Sequence, residues 1–99
     1  MKEMKDRMVW GESLDLIAGY VADELHLTDM DVRRKAMGIK CPISYEYTFT
    51  LYGVDVTMCW NKGSICVKSN NSVGFDSDRF GDVVDTIRWL AECEREEAV

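Results

Sequence analysis

The feature that most constrains the fold is a strict alternation of apolar and polar residues in the middle of the chain. In residues 43–51, aromatic and aliphatic side chains alternate with Ser, Glu and Thr, and residues 54–60 alternate in the same way after Tyr52-Gly53. A period of two places every second side chain on one face of a β-strand. The pattern therefore predicts two half-buried strands joined by a two-residue turn.

A two-residue turn also determines which residues of the two strands face each other. The pairs that it predicts are all apolar: Leu51 with Val54, Phe49 with Val56, Tyr47 with Met58, and Tyr45 with Trp60. A second turn at Lys62-Gly63 predicts a third strand, with the pairs Trp60–Ile65, Met58–Val67 and Cys59–Cys66. Because the apolar pairs share one face, we predict a three-stranded antiparallel β-meander over residues 43–69.

The segment before the sheet, residues 13–37, has the features of helices. Apolar residues recur at helical spacing over residues 14–25, and Ser13 precedes them as an N-cap. Thr28 and Asp31 resemble a capping box, with Asp in place of the usual Glu. This second signal predicts a short helix that reaches the end of the segment.

A long C-terminal helix is predicted for residues 76–97. Asp76 is expected to be its N-cap, and Phe75 and Phe80 have the spacing of a hydrophobic staple. Phe75 has an alternative role, as part of an edge segment with Val73. Together these elements predict a single α+β domain in the order α-α-β-β-β-α: N-terminal helices, a three-stranded antiparallel β-meander, and a C-terminal helix packed on one sheet face.

The C-terminal helix is predicted to have two unlike faces. With about 100° per residue, one apolar stripe covers the sheet, and it consists of Phe80, Val83, Val84, Ile87, Leu90 and Ala91. The opposite face gathers carboxylates around one tryptophan. We predict that this face is a protein-binding site made of Asp78, Asp82, Asp85, Trp89, Glu92 and Glu96.

Two interpretations of Trp89 follow from the sequence. An exposed tryptophan among carboxylates is typical of an interface, because Trp is enriched among binding hot spots and carboxylates attract basic partners. In the alternative, the charges only keep the helix soluble and Trp89 packs under an N-terminal arm, residues 1–12, which Trp10 anchors on the domain. The two interpretations differ in whether the Trp89 ring is accessible.

The net charge of −6 at pH 7 argues against general affinity for nucleic acid, whose phosphates require Lys and Arg. It favours a basic protein surface as partner. The 99 residues suit one domain and contain no apolar run long enough to cross a bilayer. With no secretory leader at the N-terminus, we expect a cytoplasmic protein that is not associated with membranes.

Catalytic and cofactor motifs are missing from the sequence, so we predict no enzyme activity and no cofactor. His26 is the only histidine, and the four cysteines lack the close spacing of a zinc site. No metal site is therefore predicted. Cys59 and Cys66 face each other across two strands and could form a disulfide, but the simpler expectation is a pair of small thiols packed under the N-terminal helices.

In size, acidity and the order of its elements, the chain resembles the small proteins that phages use against bacterial defences, anti-CRISPR proteins in particular. The residues that carry this resemblance are the meander, 43–67, and the acidic helix, 76–97. The resemblance implies a non-enzymatic inhibitor that acts in the host cytoplasm and occupies a basic surface of a nucleic-acid-processing complex, such as a CRISPR effector subunit. These proteins share no signature motif, so no residue role is carried over.

Two alternatives remain open from the sequence. The chain could be a structural or regulatory subunit that forms a homodimer through the same C-terminal helix. It could also bind nucleic acid through its one basic run, Arg33, Arg34 and Lys35, although direct nucleic-acid binding fits the net charge poorly.

Overall fold

The computed structural model describes residues 4–28, 31–36, 43–69 and 74–97, with side chains described for residues 4–28, 46–69 and 74–95. A single 3₁₀ turn, Met4–Asp6, precedes the main elements. These are α1 (Leu14–Leu25), β1 (Asp31–Ala36), β2 (Ile43–Leu51), β3 (Val54–Asn61), β4 (Ser64–Ser69), β5 (Phe75–Ser77) and α2 (Phe80–Glu97). The fold is α+β, as predicted: an N-terminal helix, an antiparallel meander sheet and a C-terminal helix that packs on the sheet.

The sheet has five strands in the order β1-β2-β3-β4-β5, and each strand is antiparallel to its neighbours. The predicted register of β2 to β4 is confirmed by Leu51–Val54, Phe49–Val56, Tyr47–Met58, Trp60–Ile65, Met58–Val67 and Cys59–Cys66. The pairing of β2 with β3 ends at Glu46–Cys59, one step short of the predicted Tyr45–Trp60 pair.

Both hairpin turns use backbone conformations with positive φ. Tyr52 and Gly53 have φ values of 53° and 78°, and Lys62 and Gly63 have values of 53° and 86°. Two successive residues with positive φ are the signature of the type I′ turn, whose twist matches that of the flanking strands. The glycine in each turn adopts this conformation without steric cost, which is why the two turns set the register.

The predicted second helix is wrong, because the segment that follows Thr28 contains the strand β1. Its backbone pairs with β2 along its whole length, from Asp31–Thr48 to Ala36–Ile43. A capping signal contributes only about 1 kcal/mol, so long-range strand pairing overrides it. The sheet therefore has more strands than the three predicted, and the basic run lies on an edge strand.

The start of the C-terminal helix also differs from the prediction. Asp76 is not its N-cap but the middle residue of β5, where it pairs with Cys66. Phe75 pairs with Val67, which confirms the edge-strand role of Phe75 and makes the staple role wrong. The helix begins at Phe80, whose N–H donates to the Arg7 carbonyl at 3.0 Å, so the N-terminal segment caps it.

The first helix matches its prediction from Leu14 to Leu25. The Ser13 hydroxyl accepts a hydrogen bond from the Leu16 N–H at 3.1 Å, as expected of an N-cap. His26 ends the helix in the left-handed conformation, with its N–H bonded to the Ala22 carbonyl. Such a residue satisfies a carbonyl that the helix end would otherwise leave unpaired.

Both helices pack on the same face of the sheet. One buried cluster joins Ile17, Ala18 and Val21 of α1, the apolar stripe of α2, and the sheet residues Tyr47, Phe49, Leu51, Val56, Met58, Ile65 and Val67. The rings of Tyr20 and Phe80 meet edge to face, with centroids 5.4 Å apart. Because both helices occupy one face, the opposite side of the sheet carries the alternate, mostly polar residues of β2 to β5.

The N-terminal segment is anchored by Val9 and not, as predicted, by Trp10. Val9 is fully buried, and its N–H donates to the Asp78 carbonyl at 2.9 Å. Trp10 is 74% exposed, and its ring lies over the β3–β4 turn, where it faces Gly63. Neither of the described helices is long and apolar enough to cross a membrane.

Candidate functional site

The two faces of α2 are as unlike as the sequence predicted. The predicted apolar stripe is buried at every position: Phe80, Val83, Val84, Ile87, Leu90 and Ala91. The carboxylates predicted for the outer face are exposed where their side chains are described: Asp78, Asp82, Asp85 and Glu92. The amphipathic pattern of α2 therefore separates a core face from an acidic solvent face.

Two of the predicted site residues have a different setting. Asp78 lies before the helix and not on it, where its backbone carbonyl accepts the Val9 N–H. Its exposed carboxylate is thus held beside the first turn of α2. Glu96 lies in the last turn of α2, outside the range in which side chains are described.

The side chain of Trp89 is accessible, with 50% of its surface exposed. The described part of the N-terminal arm, residues 4–12, therefore does not cover Trp89. The arm reaches α2 at Gly81, where the Lys5 backbone comes close, two turns before the indole. Asp85 and Glu92 are four residues before and three residues after Trp89, a spacing that makes helix residues neighbours on one face.

Strand β5 supports the indole from the side of the sheet. The Ser77 and Thr86 hydroxyls lie 2.9 Å apart and hydrogen-bond, which links β5 to the middle of α2. Two residues before Ser77 in β5, the Phe75 ring meets Trp89 edge to face, with centroids 5.1 Å apart. Phe75 is itself 38% exposed, so the two rings form one partly exposed aromatic pair.

We define the Trp89 surface by its aromatic pair and by the carboxylates on the same side of α2: Phe75, Trp89, Asp82, Asp85 and Glu92. Arg88 directly precedes Trp89 in the helix, and its guanidinium lies 3.8 Å from the Asp85 carboxylate. Arg95 instead stacks on the Tyr52 ring, 4.9 Å from the centroid. The surface therefore keeps an excess of negative charge.

The charge of this surface reaches α1. Burial raises the pKa of Tyr20, and the negative charges of Glu24, Asp85 and Asp6 raise it further, while Lys5 acts in the opposite direction. The Asp85 carboxylate therefore acts on Tyr20 in α1 and also contributes negative charge to the Trp89 surface on α2.

Sequence reasoning found the carboxylates and Trp89 but did not find the contribution of Phe75 to this surface. The sequence offered two roles for Phe75, one in a hydrophobic staple and one in an edge segment. The edge segment is the correct role. What the sequence did not show is that β5 runs beside α2, since this depends on how the helix packs on the sheet.

Comparisons of the chain with protein-family models, with curated proteins and with solved structures found no significant match.

Within the part of the chain that the structure describes, no group of three or more His, Cys, Asp or Glu side chains is arranged to hold a metal ion. The basic run, Arg33 to Lys35, lies on β1, at the opposite edge of the sheet from β5. Basic residues on an edge strand have a common structural role, because they discourage edge-to-edge pairing between copies.

Proposed function

We propose that this chain is a non-enzymatic protein-binding module whose Trp89 surface binds a basic protein surface. The observation that carries the proposal is the half-exposed indole, which Phe75 supports from one side and carboxylates flank along the helix. A tryptophan in the centre of an interface contributes more to affinity on average than most other side chains. An exposed aromatic pair with no binding role would only add apolar surface to the solvent side of α2.

Support from Phe75 matters for affinity because binding must order the side chains at an interface. Each side chain that is immobilised costs about 0.5–1.5 kcal/mol. The Trp89 ring already rests on Phe75 in the free chain, so part of this cost is absent. Half of the Trp89 side chain stays exposed and is available to a partner.

The charges of the surface indicate the chemistry of the partner. Arg is the best match, because its guanidinium can donate two parallel hydrogen bonds to a carboxylate such as Asp82 and can also stack on an indole. A partner surface rich in Arg and Lys would also be attracted from a distance, which speeds association. A basic nucleic-acid-binding surface on another protein has this composition.

The narrower proposal, an anti-CRISPR-type inhibitor of a CRISPR effector subunit, draws on the resemblance in size, acidity and element order. Its activity would consist of covering basic residues that otherwise contact nucleic acid. Homodimerisation through α2 and nucleic-acid binding through Arg33, Arg34 and Lys35 are alternatives, and no observation in the described residues favours either over the proposal.

The test compares matched tryptophan variants. Trp89→Ala and Trp10→Ala each remove one exposed indole, but only the first lies in the Trp89 surface. Affinity purification from the native host with wild-type chain and both variants, read by quantitative mass spectrometry, should yield a protein that Trp89→Ala loses and Trp10→Ala retains. The purified partner should then bind in calorimetry with the same order of affinities, and the free chain should sediment as a monomer.

Three results would count against the proposal. Equal capture by both variants would place binding elsewhere on the chain. A dimer that Trp89→Ala converts to monomers would favour the homodimer. Binding to an oligonucleotide that weakens steeply with added salt and is lost in Arg33→Ala/Arg34→Ala would favour the nucleic-acid alternative.

A further inference from the structure

Cys59 and Cys66 lie on the side of the sheet that the helices leave open. The sequence predicted that these thiols pack under the N-terminal helices. That expectation is wrong, because Ile17 and Val21 of α1 join the core on the other face, with Met58 and Val67. Cys59 and Cys66 occupy the alternate positions of β3 and β4 and are free, half-buried thiols.

The two residues are direct neighbours across the β3–β4 hairpin. Opposed residues in an antiparallel pair have Cα atoms about 4.5 or about 5.5 Å apart, depending on the position in the ladder. Both values fall in the range of about 4.4–6.8 Å that disulfides span. The Cα separation of the two residues therefore suits a disulfide.

The side chains already interact. Burial is the main cause that raises the pKa of Cys66. The charges of Cys59 and Asp76 raise it further, Lys68 opposes them, and a side-chain hydrogen bond to Cys59 adds a smaller contribution. Cys66 therefore holds its proton more tightly than an exposed thiol does.

Glycine at position 74 provides the space for the Cys66 sulfur. A Cβ at this position would lie 2.5 Å from Cys66 Sγ, closer than any real contact. Gly74 is exposed and carries no side chain that could cover the Cys66 sulfur. Cys59 and Cys66 are both half-buried, so each keeps part of its surface accessible to a small reagent.

We propose that Cys59 and Cys66 form a reversible modification site that reacts with low-molecular-weight disulfides such as oxidised glutathione. The Cys59 thiolate attacks one sulfur of the reagent, so a mixed disulfide forms on Cys59 and one thiol leaves. Cys66 then loses its proton and attacks the Cys59 sulfur, which forms the Cys59–Cys66 disulfide and releases the second thiol. The chain loses two electrons and two protons, and the reagent disulfide is reduced to two thiols.

This inference does not depend on the proposed function, because the thiol pair and the Trp89 surface lie on opposite sides of the domain. The two can therefore be tested separately. Loss of partner binding in Trp89→Ala leaves the thiol chemistry intact, and loss of the thiols leaves the Trp89 surface intact.

The experiment uses the full chain with Cys41→Ser and Cys93→Ser, so that only Cys59 and Cys66 remain. The folded chain is incubated with oxidised glutathione, quenched with an alkylating agent and weighed by mass spectrometry. The expected product has lost two hydrogens and takes up no label. Trypsin cleaves at Lys62, between the two cysteines, so the disulfide is identified as two peptides that separate only after reduction. The same mapping on wild-type chain serves if the double variant does not fold.

Single variants resolve the order of the steps. Cys66→Ser should accumulate the mixed disulfide on Cys59, because the second thiol is missing. Cys59→Ser should react several-fold more slowly, because Cys66 is held protonated. Urea should slow closure of the disulfide relative to the folded chain, since the strands no longer align the sulfurs. Two stable glutathione adducts, no reaction, or closure that is as fast in urea as in buffer would each overturn the proposal.

Discussion

Phe75 and Trp89 meet edge to face, with their ring planes at 89° and their centroids 5.1 Å apart. The contact joins the shortest strand of the sheet to the outer side of α2, and it is the point at which the proposed binding surface is attached to the domain. Edge-to-face pairs place the positive edge of one ring on the negative face of the other. The contact should therefore stabilise the fold as well as orient the indole.

A double-mutant cycle measures this contact. Phe75→Ala, Trp89→Ala and the double variant should show a coupling of about 0.5–1.5 kcal/mol in the free energy of unfolding, beyond the effect of buried area. Urea denaturation followed by circular dichroism provides the values. The control cycle of Phe75→Ala with Trp10→Ala should be additive, because Trp10 contacts the Gly63 turn instead. Additivity in both cycles would mean that the ring contact adds no energy.

Charge reversal on the Trp89 surface should act mainly on the association rate. Asp82→Lys and Glu92→Lys should each slow binding of a basic partner by up to about one decade, with little change in dissociation, because charges at a rim steer encounter. Surface plasmon resonance at low and high salt is the measurement. Asp23→Lys is the control, since it makes the same charge change at an exposed position on α1. An equal effect of Asp23→Lys would indicate that only net charge matters.

Glycine substitutions should separate backbone strain from side-chain contact. Gly19→Ala in α1 meets nothing within 4 Å and should raise the free energy of unfolding by about 0.5–1 kcal/mol, because Ala favours helix. Gly53→Ala and Gly63→Ala should both lower it by about 1–2 kcal/mol, since their φ is positive.

Gly63→Ala should be the more damaging of the two turn variants. A Cβ at Gly63 would lie 2.9 Å from Trp10 Cδ1, whereas one at Gly53 meets nothing within 4 Å. In a Trp10→Ala background the two substitutions should therefore become equal. A difference that persists in that background would contradict the position of the Trp10 ring.

Stability should fall in alkaline solution. Burial is the main cause that raises the pKa of Cys66 above its ordinary value of 9.0, so the folded chain holds this proton more tightly than the unfolded chain does. The stability that this proton contributes is fully present below the ordinary pKa of 9.0. It is lost as the pH rises through the higher pKa of the folded chain. Tyr20, raised above 10.0, adds a second decrease at higher pH. Urea denaturation at several pH values should show both, and Cys66→Ser should abolish the first.

Those parts of the fold that depend on local rules could be predicted from the sequence. The turns at Tyr52-Gly53 and Lys62-Gly63 determine the register of three strands, because only one alignment places all apolar residues on one face. Ser13 and the apolar spacing after it were sufficient to locate α1. The same periodicity separated the buried side of α2 from its acidic side.

The predictions from sequence were wrong where long-range strand pairing competes with local helix signals. Thr28 and Asp31 suggest a helix, yet β1 forms because all of its residues pair with β2. Asp76 suggests a cap, yet β4 offers its own edge to β5. Helix capping and strand addition each use backbone N–H and C=O groups, and the sequence does not reveal which partner is nearer in space. Phe75 was missed at the proposed site for this reason.

The two-layer arrangement has a practical consequence for anyone who screens for partners. A sensor chip coupled to the protein through Cys59 or Cys66 would hold it by the side of the sheet opposite the two helices. The indole and its carboxylates would then point away from the support, towards the flowing sample. Attachment through lysines, which include Lys5 beside the first turn of α2, would give no such control over orientation.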